Sequence, residues 1–290
     1  MTKQKIAILG CGAMGSRMVQ NLLNANYQVV VYNRTAAKIQ PLIDRGALYA
    51  ATPKAAAEQA DIVISMVTDD DVSRRIWLDP ETGALLGLNK DRIAIESSTL
   101  TIAWTRELAS TIEPRGAMFL DAPVVGSRPQ VEAGKLIYLV GGKAEILEQV
   151  QPILSSAGAA VIHHIGAIGQ GMAMKLAVNT LFGVQVAALA EILVLLDKQG
   201  ITSTKAMEYL GDLPVTSLAA KMAGNLMVAN NHAPLFPIEL VEKDFRYVVQ
   251  TAQAANTSIP AATAIHRIYQ DAIAQGRGSE NITGIVQLFV

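Results

Sequence analysis

The sequence predicts an N-terminal α/β domain with a doubly wound parallel sheet, followed by an all-helical C-terminal domain. Strand-like and helix-like segments alternate through the first half of the 290 residues, a pattern typical of parallel sheets covered by helices. No strand is predicted beyond about Gly169, where a long apolar helical stretch begins. We assign the domains to residues 1–165 and 166–290, with a boundary near residues 164–169.

The predicted strands are short apolar runs bounded by turn residues, with possible antiparallel additions at the sheet edge. The first strand is the short apolar run that begins at Lys5, and a short strand is predicted near Leu48. The other strands are predicted at residues 28–32, 61–67, 93–97, 118–121, 136–140 and 160–163. Helices are predicted between them at residues 36–45, 55–59 and 144–155. A further helix is predicted to begin after Thr101, which would cap it.

The second domain is predicted to begin with one helix over residues 172–199, which is apolar nearly all round. At 1.5 Å per residue this helix would run roughly 40 Å. Lys175, Asn179, Gln185 and Glu191 interrupt its apolar surface, which favours a core helix over a membrane span. The later helices are predicted to be broken at Pro214, Pro237 and Pro260.

Composition indicates a well-buried globular protein. The chain is 51% hydrophobic with a net charge of −1, so neither nucleic acid nor an anionic membrane is an expected partner. Cys11 is the only cysteine, which excludes an intrachain disulfide and a thiolate metal cluster. His163 and His164 would point to opposite faces of a strand, and we expect no metal site. We expect no cleavable signal and a cytoplasmic location.

The helical domain has few charged residues to place on a solvent-exposed surface. We therefore expect its long helix to meet a second subunit, in a homo-oligomer that is a dimer or a tetramer. An isolated compact bundle is the alternative.

Three glycines after the first strand indicate a dinucleotide site. They read Gly10-x-Gly12-x-x-Gly15, with Ala13 and Met14 between the second and third glycine. Gly10 permits a tight turn, Gly12 lets the backbone approach a pyrophosphate, and Gly15 lets helix and strand pack closely. The helix that follows offers its N–H groups and positive dipole end to phosphate.

The end of the second strand predicts the choice of NADP. Enzymes that use NAD usually carry an acid here to accept from the ribose 2′-OH, and none is present. Arg34 offers a planar fork of donors to a 2′-phosphate instead, and Asn33, Thr35 and Lys38 add donors nearby. Alternatively, Arg34 is an ordinary solvated side chain.

Lys175 is the candidate for proton chemistry, because it stands on the apolar helix with Asn179 four residues later on the same face. A lysine in apolar surroundings loses solvation and exchanges its proton more readily. Alternatively, it extends along the helix to reach solvent. The residues alone leave both readings open.

Four motifs occur together in a fixed order: the glycine motif, Asp121-Ala122-Pro123-Val124, Gly171-x-x-x-Lys175-x-x-x-Asn179 and Lys243-Asp244. In the order and spacing of these motifs, the whole chain resembles the β-hydroxyacid dehydrogenases. This is the family of 3-hydroxyisobutyrate dehydrogenase, tartronate semialdehyde reductase and glyoxylate/succinic semialdehyde reductase. The resemblance implies a Rossmann domain, an all-α domain and a catalytic site between them.

The resemblance also implies roles for individual residues. Lys175 would give a proton to the substrate oxygen, Asn179 would hold substrate and lysine, and Lys243 would reach toward cofactor and substrate. The cofactor would be bordered at its nicotinamide end by Val67, Thr68, Ser98 and Thr99. Asn33-Arg34-Thr35 resembles the members that use NADPH.

One departure from the family concerns the substrate. The family usually reads Asp-Ala-Pro-Val-Ser-Gly, and its serine helps to bind the substrate carboxylate; here Val125 replaces that serine. Backbone N–H groups at Gly126 and Ser127 are expected to grip an anion in its place. Ser127 would also point to the same side as Val125 in an extended segment.

The sequence therefore predicts an NADPH-dependent oxidoreductase that reduces a small carbonyl acid, of semialdehyde or glyoxylate type, or catalyses the reverse. Two alternatives stay open. Imine reductases share this architecture but usually carry Asp or Tyr where Lys175 stands. A non-catalytic NADP-binding interaction protein is the other, although such relatives have lost the lysine.

Overall fold

The computed structural model describes residues 4–290, so the first three residues of the predicted N-terminal domain lie outside the described residues. The chain divides into two compact units, the first ending at Lys175 and the second beginning at Leu176. The sequence prediction placed the boundary earlier, between residues 165 and 166. The division falls within helix α8 (Gln170–Lys198), so the first turn of that helix belongs to the first unit.

The first unit alternates strands and helices as predicted. Its strands are β1 (Lys5–Leu9), β2 (Gln28–Tyr32), β3 (Leu48–Tyr49), β4 (Ile62–Ser65), β5 (Ile93–Glu96), β6 (Met118–Asp121), β7 (Val124–Val125), β8 (Leu136–Gly141) and β9 (Ala159–Gly166). Its helices are α1 (Gly15–Asn24), α2 (Gln40–Ile43), α3 (Pro53–Glu58), α4 (Asp70–Leu78), α5 (Ile102–Ile112), α6 (Arg128–Glu132) and α7 (Ala144–Ser156).

The strands form one sheet in the order β3-β2-β1-β4-β5-β6-β8-β7, with β9 paired to β8. Strands β1 to β6 are parallel where they pair, whereas β8 runs antiparallel to β6 and β7. The predicted parallel sheet with antiparallel additions is therefore confirmed. Alternate residues of β1 enter the two apolar clusters that cover the sheet faces, since Ile6 and Ile8 lie in one and Ala7 and Leu9 in the other.

The structure differs from the sequence prediction in several local elements. The helix predicted over 36–45 is a 3₁₀ turn (Ala36–Ile39) followed by the four-residue α2, which has proline in its first turn. Helix α4 was not predicted, although Asp69 caps it by accepting from the Val72 N–H at 2.9 Å. The short elements β7 and α6 were also not predicted.

The second unit is helical. After α8 come α9 (Ser203–Leu210), α10 (Leu218–Val228), α11 (Ile238–Ala254), α12 (Pro260–Ala274) and a 3₁₀ segment (Ile282–Leu288). Within the described residues no strand follows Gly166, and one isolated bridge joins Pro237 to Asn281. The prolines act as predicted: Pro214 lies between α9 and α10, Pro237 is the N-cap of α11, and Pro260 begins α12.

Helix α8 has 29 residues and a mean hydropathy of 1.8 over its most apolar window. Among residues 4–290 it alone is long and apolar enough to cross a membrane, judged by length and composition. Of that window, 39% is buried within the protein. The core helix of a globular protein has the same properties, so this finding is weak evidence for a membrane span.

Candidate active site

The glycine turn has the geometry that its motif predicts. Gly10 has φ +96°, and a Cβ there would lie 2.4 Å from the Met66 carbonyl oxygen. A Cβ on Gly15 would lie 2.0 Å from the Gly10 oxygen, so only glycine lets α1 start this close to β1. Gly12 is exposed, with nothing within 4 Å of an added Cβ. This open backbone at the start of a helix fits a pyrophosphate.

Asn33 holds the glycine turn to the end of β2. Its Oδ1 accepts from the Cys11 N–H at 3.1 Å, and its Nδ2 donates to the Thr35 carbonyl at 2.9 Å. The amide therefore positions the loop. Its NH₂ group carries a second N–H beside the one given to Thr35, so Asn33 as a donor for the ribose phosphate stays a prediction.

The other predicted phosphate ligands face solvent. Arg34, Thr35 and Lys38 are exposed immediately after β2, at the carboxyl edge of the sheet. Ligands of open α/β sheets bind beyond this edge. The site therefore offers two cationic side chains where an enzyme for NAD would carry a carboxylate.

Cys11 lies inside the glycine turn and is 5% exposed. Burial raises the pKa of its thiol to about 12. The thiol is therefore protonated at neutral pH.

The ends of β4 and β5 are joined through residues predicted for the nicotinamide end of the cofactor. The Val67 N–H donates to Ser98 Oγ at 2.8 Å. Thr68 donates from its hydroxyl to Asp69 Oδ2 at 2.8 Å, beside the cap of α4. Thr99 follows Ser98 in the loop that leaves β5.

A row of buried polar residues crosses the carboxyl ends of three neighbouring strands. Ser65, Glu96 and Asp121 are register partners at the last positions of β4, β5 and β6, and each is 0% exposed. Sequence reasoning quoted Asp121 only within a family motif and did not single out Glu96. An acid that closes an otherwise apolar strand was the available signal.

The carboxylate of Glu96 accepts four hydrogen bonds. Its Oε2 accepts from the hydroxyls of Ser65 at 2.7 Å and Ser73 at 2.8 Å, and from Trp77 Nε1 at 2.9 Å. Its Oε1 accepts from the Ser98 N–H at 3.0 Å. Glu96 therefore orients the loop that carries Ser98 and Thr99.

Asp121 binds the start of α8. Its Oδ1 accepts from the Gly169 N–H at 2.7 Å, and its Oδ2 accepts from the Met172 N–H at 2.8 Å. Burial raises the pKa of the Asp121 carboxyl above its ordinary value, and these backbone hydrogen bonds oppose the rise.

Lys175 and Asn179 lie one turn apart on α8 and are each 8% exposed. The reading in which Lys175 extends to solvent is therefore wrong. The helix around Lys175 is apolar, and burial removes most of the water that would solvate its ammonium. A buried lysine beside an amide can hold a proton at a substrate oxygen.

In the second unit, Asp244 joins two of the predicted site residues. Asn179 Nδ2 donates to Asp244 Oδ2 at 2.5 Å, and Lys243 Nζ lies 3.2 Å from Asp244 Oδ1. Lys243 and Asp244 are 7% and 2% exposed. Asp244 stood in the quoted Lys-Asp motif but was not predicted as a site residue, although it fixes both partners.

The segment predicted to hold the substrate carboxylate is organised differently from our expectation. Val125 is half-buried at the end of β7, and Gly126 then adopts φ +127°. The extended alternation therefore stops before Ser127, and the prediction that Ser127 shares the side of Val125 is wrong. Ser127 is the N-cap of α6, and its N–H donates to Gln130 Oε1 at 2.9 Å. That N–H already has a partner within the chain, which corrects its predicted role as an anion donor.

No group of three or more potential metal ligands from His, Cys, Asp and Glu is found within residues 4–290. His163 and His164 both lie in β9, and His164 Nε2 is 2.8 Å from the Gly142 carbonyl oxygen.

Two family models match the chain. The model for the NAD binding domain of 6-phosphogluconate dehydrogenase matches residues 5–178. The model described as the NAD-binding domain of NADP-dependent 3-hydroxyisobutyrate dehydrogenase matches residues 169–289. Together they span both units.

Known proteins and a solved structure are similar to this chain over nearly its whole length. Glyoxylate/succinic semialdehyde reductase 2, chloroplastic, of Arabidopsis thaliana is 30% identical over 97% of this chain and 78% of that protein. The 3-sulfolactaldehyde reductase of Escherichia coli K12 is 31% identical over 97% of this chain and 94% of that protein. A structure of 3-hydroxyisobutyrate dehydrogenase from Mycobacterium tuberculosis with L-serine superposes with a TM-score of 0.90 at 26% identity, covering 98% of each chain.

These matches extend over the glycine turn, the Lys175 helix and the Lys243-Asp244 pair, the features from which the resemblance was drawn. They establish an oxidoreductase that acts on CH–OH groups with a nicotinamide cofactor. The chain belongs to the β-hydroxyacid dehydrogenase family.

Proposed function

We propose that this chain is an NADPH-dependent reductase of small aldehyde acids, which it converts to hydroxy acids or forms in the reverse direction. The observation that carries the proposal is the buried Lys175 with Asn179 one turn away on α8. The relatives named for glyoxylate and succinic semialdehyde and for 3-sulfolactaldehyde support aldehydes that carry an anionic group.

The choice of NADPH rests on the end of β2. Arg34 and Lys38 are exposed there, and no carboxylate follows the strand to accept from a ribose 2′-OH. A guanidinium presents paired donors that match phosphate geometry. A 2′-phosphate is the group that this pair of cations would hold.

The chemistry divides between cofactor and protein. A bound nicotinamide supplies a hydride to the carbonyl carbon, so that NADPH is oxidised and the aldehyde is reduced. Lys175 donates the proton that completes the alcohol at the carbonyl oxygen. Its ammonium also stabilises negative charge as it develops on that oxygen, in a setting from which most water is excluded.

Asn179 and Lys243 are the other polar side chains that we propose for the active site, beside Lys175. Asp244 holds both, so neither side chain has to be ordered when substrate arrives. Asn179 is proposed to hold the substrate, and Lys243 to reach toward cofactor and substrate.

We also propose that the chain forms a homodimer or homotetramer through its second unit. Large apolar side chains are exposed there: Leu181 at 64%, Leu195 at 60%, Val215 at 81%, Leu218 at 82% and Met222 at 60%. Exposed apolar surface on this scale favours burial against another copy. Light scattering after size exclusion tests this, and a monomer at micromolar concentration would contradict it.

The function is tested by the initial rate of NADPH oxidation with glyoxylate, succinic semialdehyde and a cyclic imine. We expect turnover of at least one aldehyde acid, slower turnover with NADH, and none with the imine. Turnover of the imine alone would move the chain to an imine reductase function. Tight NADPH binding without turnover of any of the three would support a non-catalytic NADP-binding protein.

A further inference from the structure

We propose that Asp121 is a positioning residue that fixes the start of helix α8 and thereby places Lys175 for proton transfer. The inference rests on the proposed function, in which Lys175 is the proton donor. Asp121 itself would touch neither substrate nor cofactor, and it acts through the helix that carries the lysine.

The first observation is that α8 is capped from a distant strand. A helix usually receives its cap from a Ser, Thr, Asp or Asn at its own N-cap position. Gly169 precedes α8 and has no side chain, so the cap comes from Asp121, 48 residues earlier in the chain. The carboxylate binds the N–H groups of Gly169 and Met172, two of the donors that a helix start leaves without an intrahelical acceptor.

The second observation is that glycines on two sides make room for the carboxylate. A Cβ on Gly141 would be 2.4 Å from Asp121 Oδ1, and a Cβ on Gly171 would be 2.9 Å from Oδ2. The Gly171 Cβ would also be 2.4 Å from the Leu139 carbonyl oxygen. Two glycines therefore let strand β8 and the first turn of α8 close around Asp121, whose side chain is 0% exposed.

The third observation is the short distance along the helix to Lys175. Met172 and Lys175 are three residues apart, about 4.5 Å of helix rise. A shift or fraying of the first turn would therefore move the lysine. Misplacement of a catalytic group by about 1 Å lowers the rate roughly a hundredfold.

The inference predicts a specific pattern in Asp121→Asn. The amide keeps one acceptor but turns its NH₂ group toward the other backbone N–H, so one of the two hydrogen bonds is replaced by a donor–donor contact. We expect kcat for the best aldehyde, counted per NADPH-binding site, to fall about tenfold or more. The Kd for NADPH should stay within about twofold of wild type, because the glycine turn and the end of β2 are untouched.

A double variant separates positioning from general damage. If Asp121 acts through Lys175, then Asp121→Asn combined with Lys175→Ala is no slower than Lys175→Ala alone. Thr52→Ala is the matched control, since it removes the cap of α3, whose Ala55 N–H donates to Thr52 Oγ1 at 3.0 Å. Helix α3 carries no proposed site residue, and kcat of this control should equal that of wild type.

Three results would overturn the inference. One is a kcat for Asp121→Asn within about twofold of wild type. Another is a loss in the double variant that multiplies the two single losses. If Asp121→Asn does not fold, Gly169→Ala disturbs the same cap from the helix side, because Gly169 has φ +86°. An unchanged kcat in Gly169→Ala would then overturn it.

Failure of the proposed function gives a different pattern. A wild-type chain without aldehyde reduction, or a Lys175→Ala variant with normal kcat, would reject the proton donor and this inference together. A slow Lys175→Ala variant beside a fast Asp121→Asn variant would reject only the role of Asp121.

Discussion

The glycine turn of the first unit and the Asn179–Asp244–Lys243 cluster of the second are both candidate parts of the site, but they are built differently. The glycine turn is made of backbone: Gly10 and Gly15 allow approaches that a Cβ would block. The cluster is made of side chains, with one carboxylate joining an amide on α8 to a lysine on α11.

The difference explains what each site can tolerate. A backbone site depends on which residues are absent, so almost any added side chain at Gly10 or Gly15 disrupts it. A side-chain cluster depends on charge balance, because loss of Asp244 would leave Lys243 buried without that partner. The predictions below test the glycine turn, the side chain of Lys175, the end of β2 and the end of β7, from the largest expected effect to the smallest.

The thiol of Cys11 tests whether the glycine turn is closed in solution. Burial raises its pKa from 9.0 to about 12, so at pH 8 the reactive thiolate should be about a thousandfold rarer than for an unperturbed cysteine. Reaction with a disulfide reagent should be slower by at least that factor in the native chain than in guanidinium. Since Cys11 is the only cysteine, the signal is unambiguous. Rapid labelling of the native chain would show that the turn opens.

Lys175→Ala tests the proposed proton donor. We expect turnover to fall about a hundredfold or more, the usual scale for a lost general acid, with NADPH binding nearly unchanged. The matched control is Lys198→Ala, which removes an exposed lysine from the last turn of the same helix and should leave turnover unchanged. A loss of only a few fold in Lys175→Ala would show that another group supplies the proton.

Arg34→Asp tests the proposed contact between Arg34 and the 2′-phosphate of NADPH. A charge-assisted hydrogen bond contributes about 1.5–3 kcal/mol, so NADPH affinity should fall about ten- to a hundredfold while NADH affinity changes little. Fluorescence titration with both cofactors measures this. Arg115→Asp makes the same charge change at an exposed position just before β6, at the opposite edge of the sheet, and should alter neither affinity. Equal weakening of both cofactors by Arg34→Asp would reject the phosphate contact.

Val125→Ser tests the departure from the family pattern. A hydroxyl there adds one hydrogen bond to a substrate carboxylate, so kcat/KM for succinic semialdehyde should rise about tenfold, with little change for an uncharged aldehyde of similar size. Val161→Ser on strand β9 is a control for a serine at a partly exposed strand position. An unchanged ratio between the two aldehydes would mean that other groups already hold the carboxylate.

The same comparison shows what the sequence reveals. Strands β2 and β6 were predicted to the residue, because a polar residue closes each compact apolar run: Asn33 follows β2, and Asp121 is the last residue of β6. The glycine turn was predicted with its geometry, since a backbone site imposes glycine at fixed spacing. Elements β7 and α6 are two and five residues long, too short for periodicity to reveal them.

Sequence reasoning named several polar side chains of these sites but not the residues to which they bind. The hydrogen bond from Asn179 to Asp244 joins residues 65 apart, and no spacing rule predicts that pairing. The same is true of the Asp121 carboxylate, which binds N–H groups 48 and 51 residues away. Ser127 shows the opposite error: alternation predicted its direction, but the positive φ of Gly126 ends the extended segment first.

The most direct test of the proposed reaction is to follow the hydride. The wild-type chain would be incubated with succinic semialdehyde and NADPH that carries deuterium at the transferred position of nicotinamide C4, and the product analysed by mass spectrometry. We predict a hydroxy acid with one deuterium on the former aldehyde carbon and none lost to water, in amounts equal to the NADPH oxidised. NADPH oxidation that yields no deuterated hydroxy acid would contradict the proposed function.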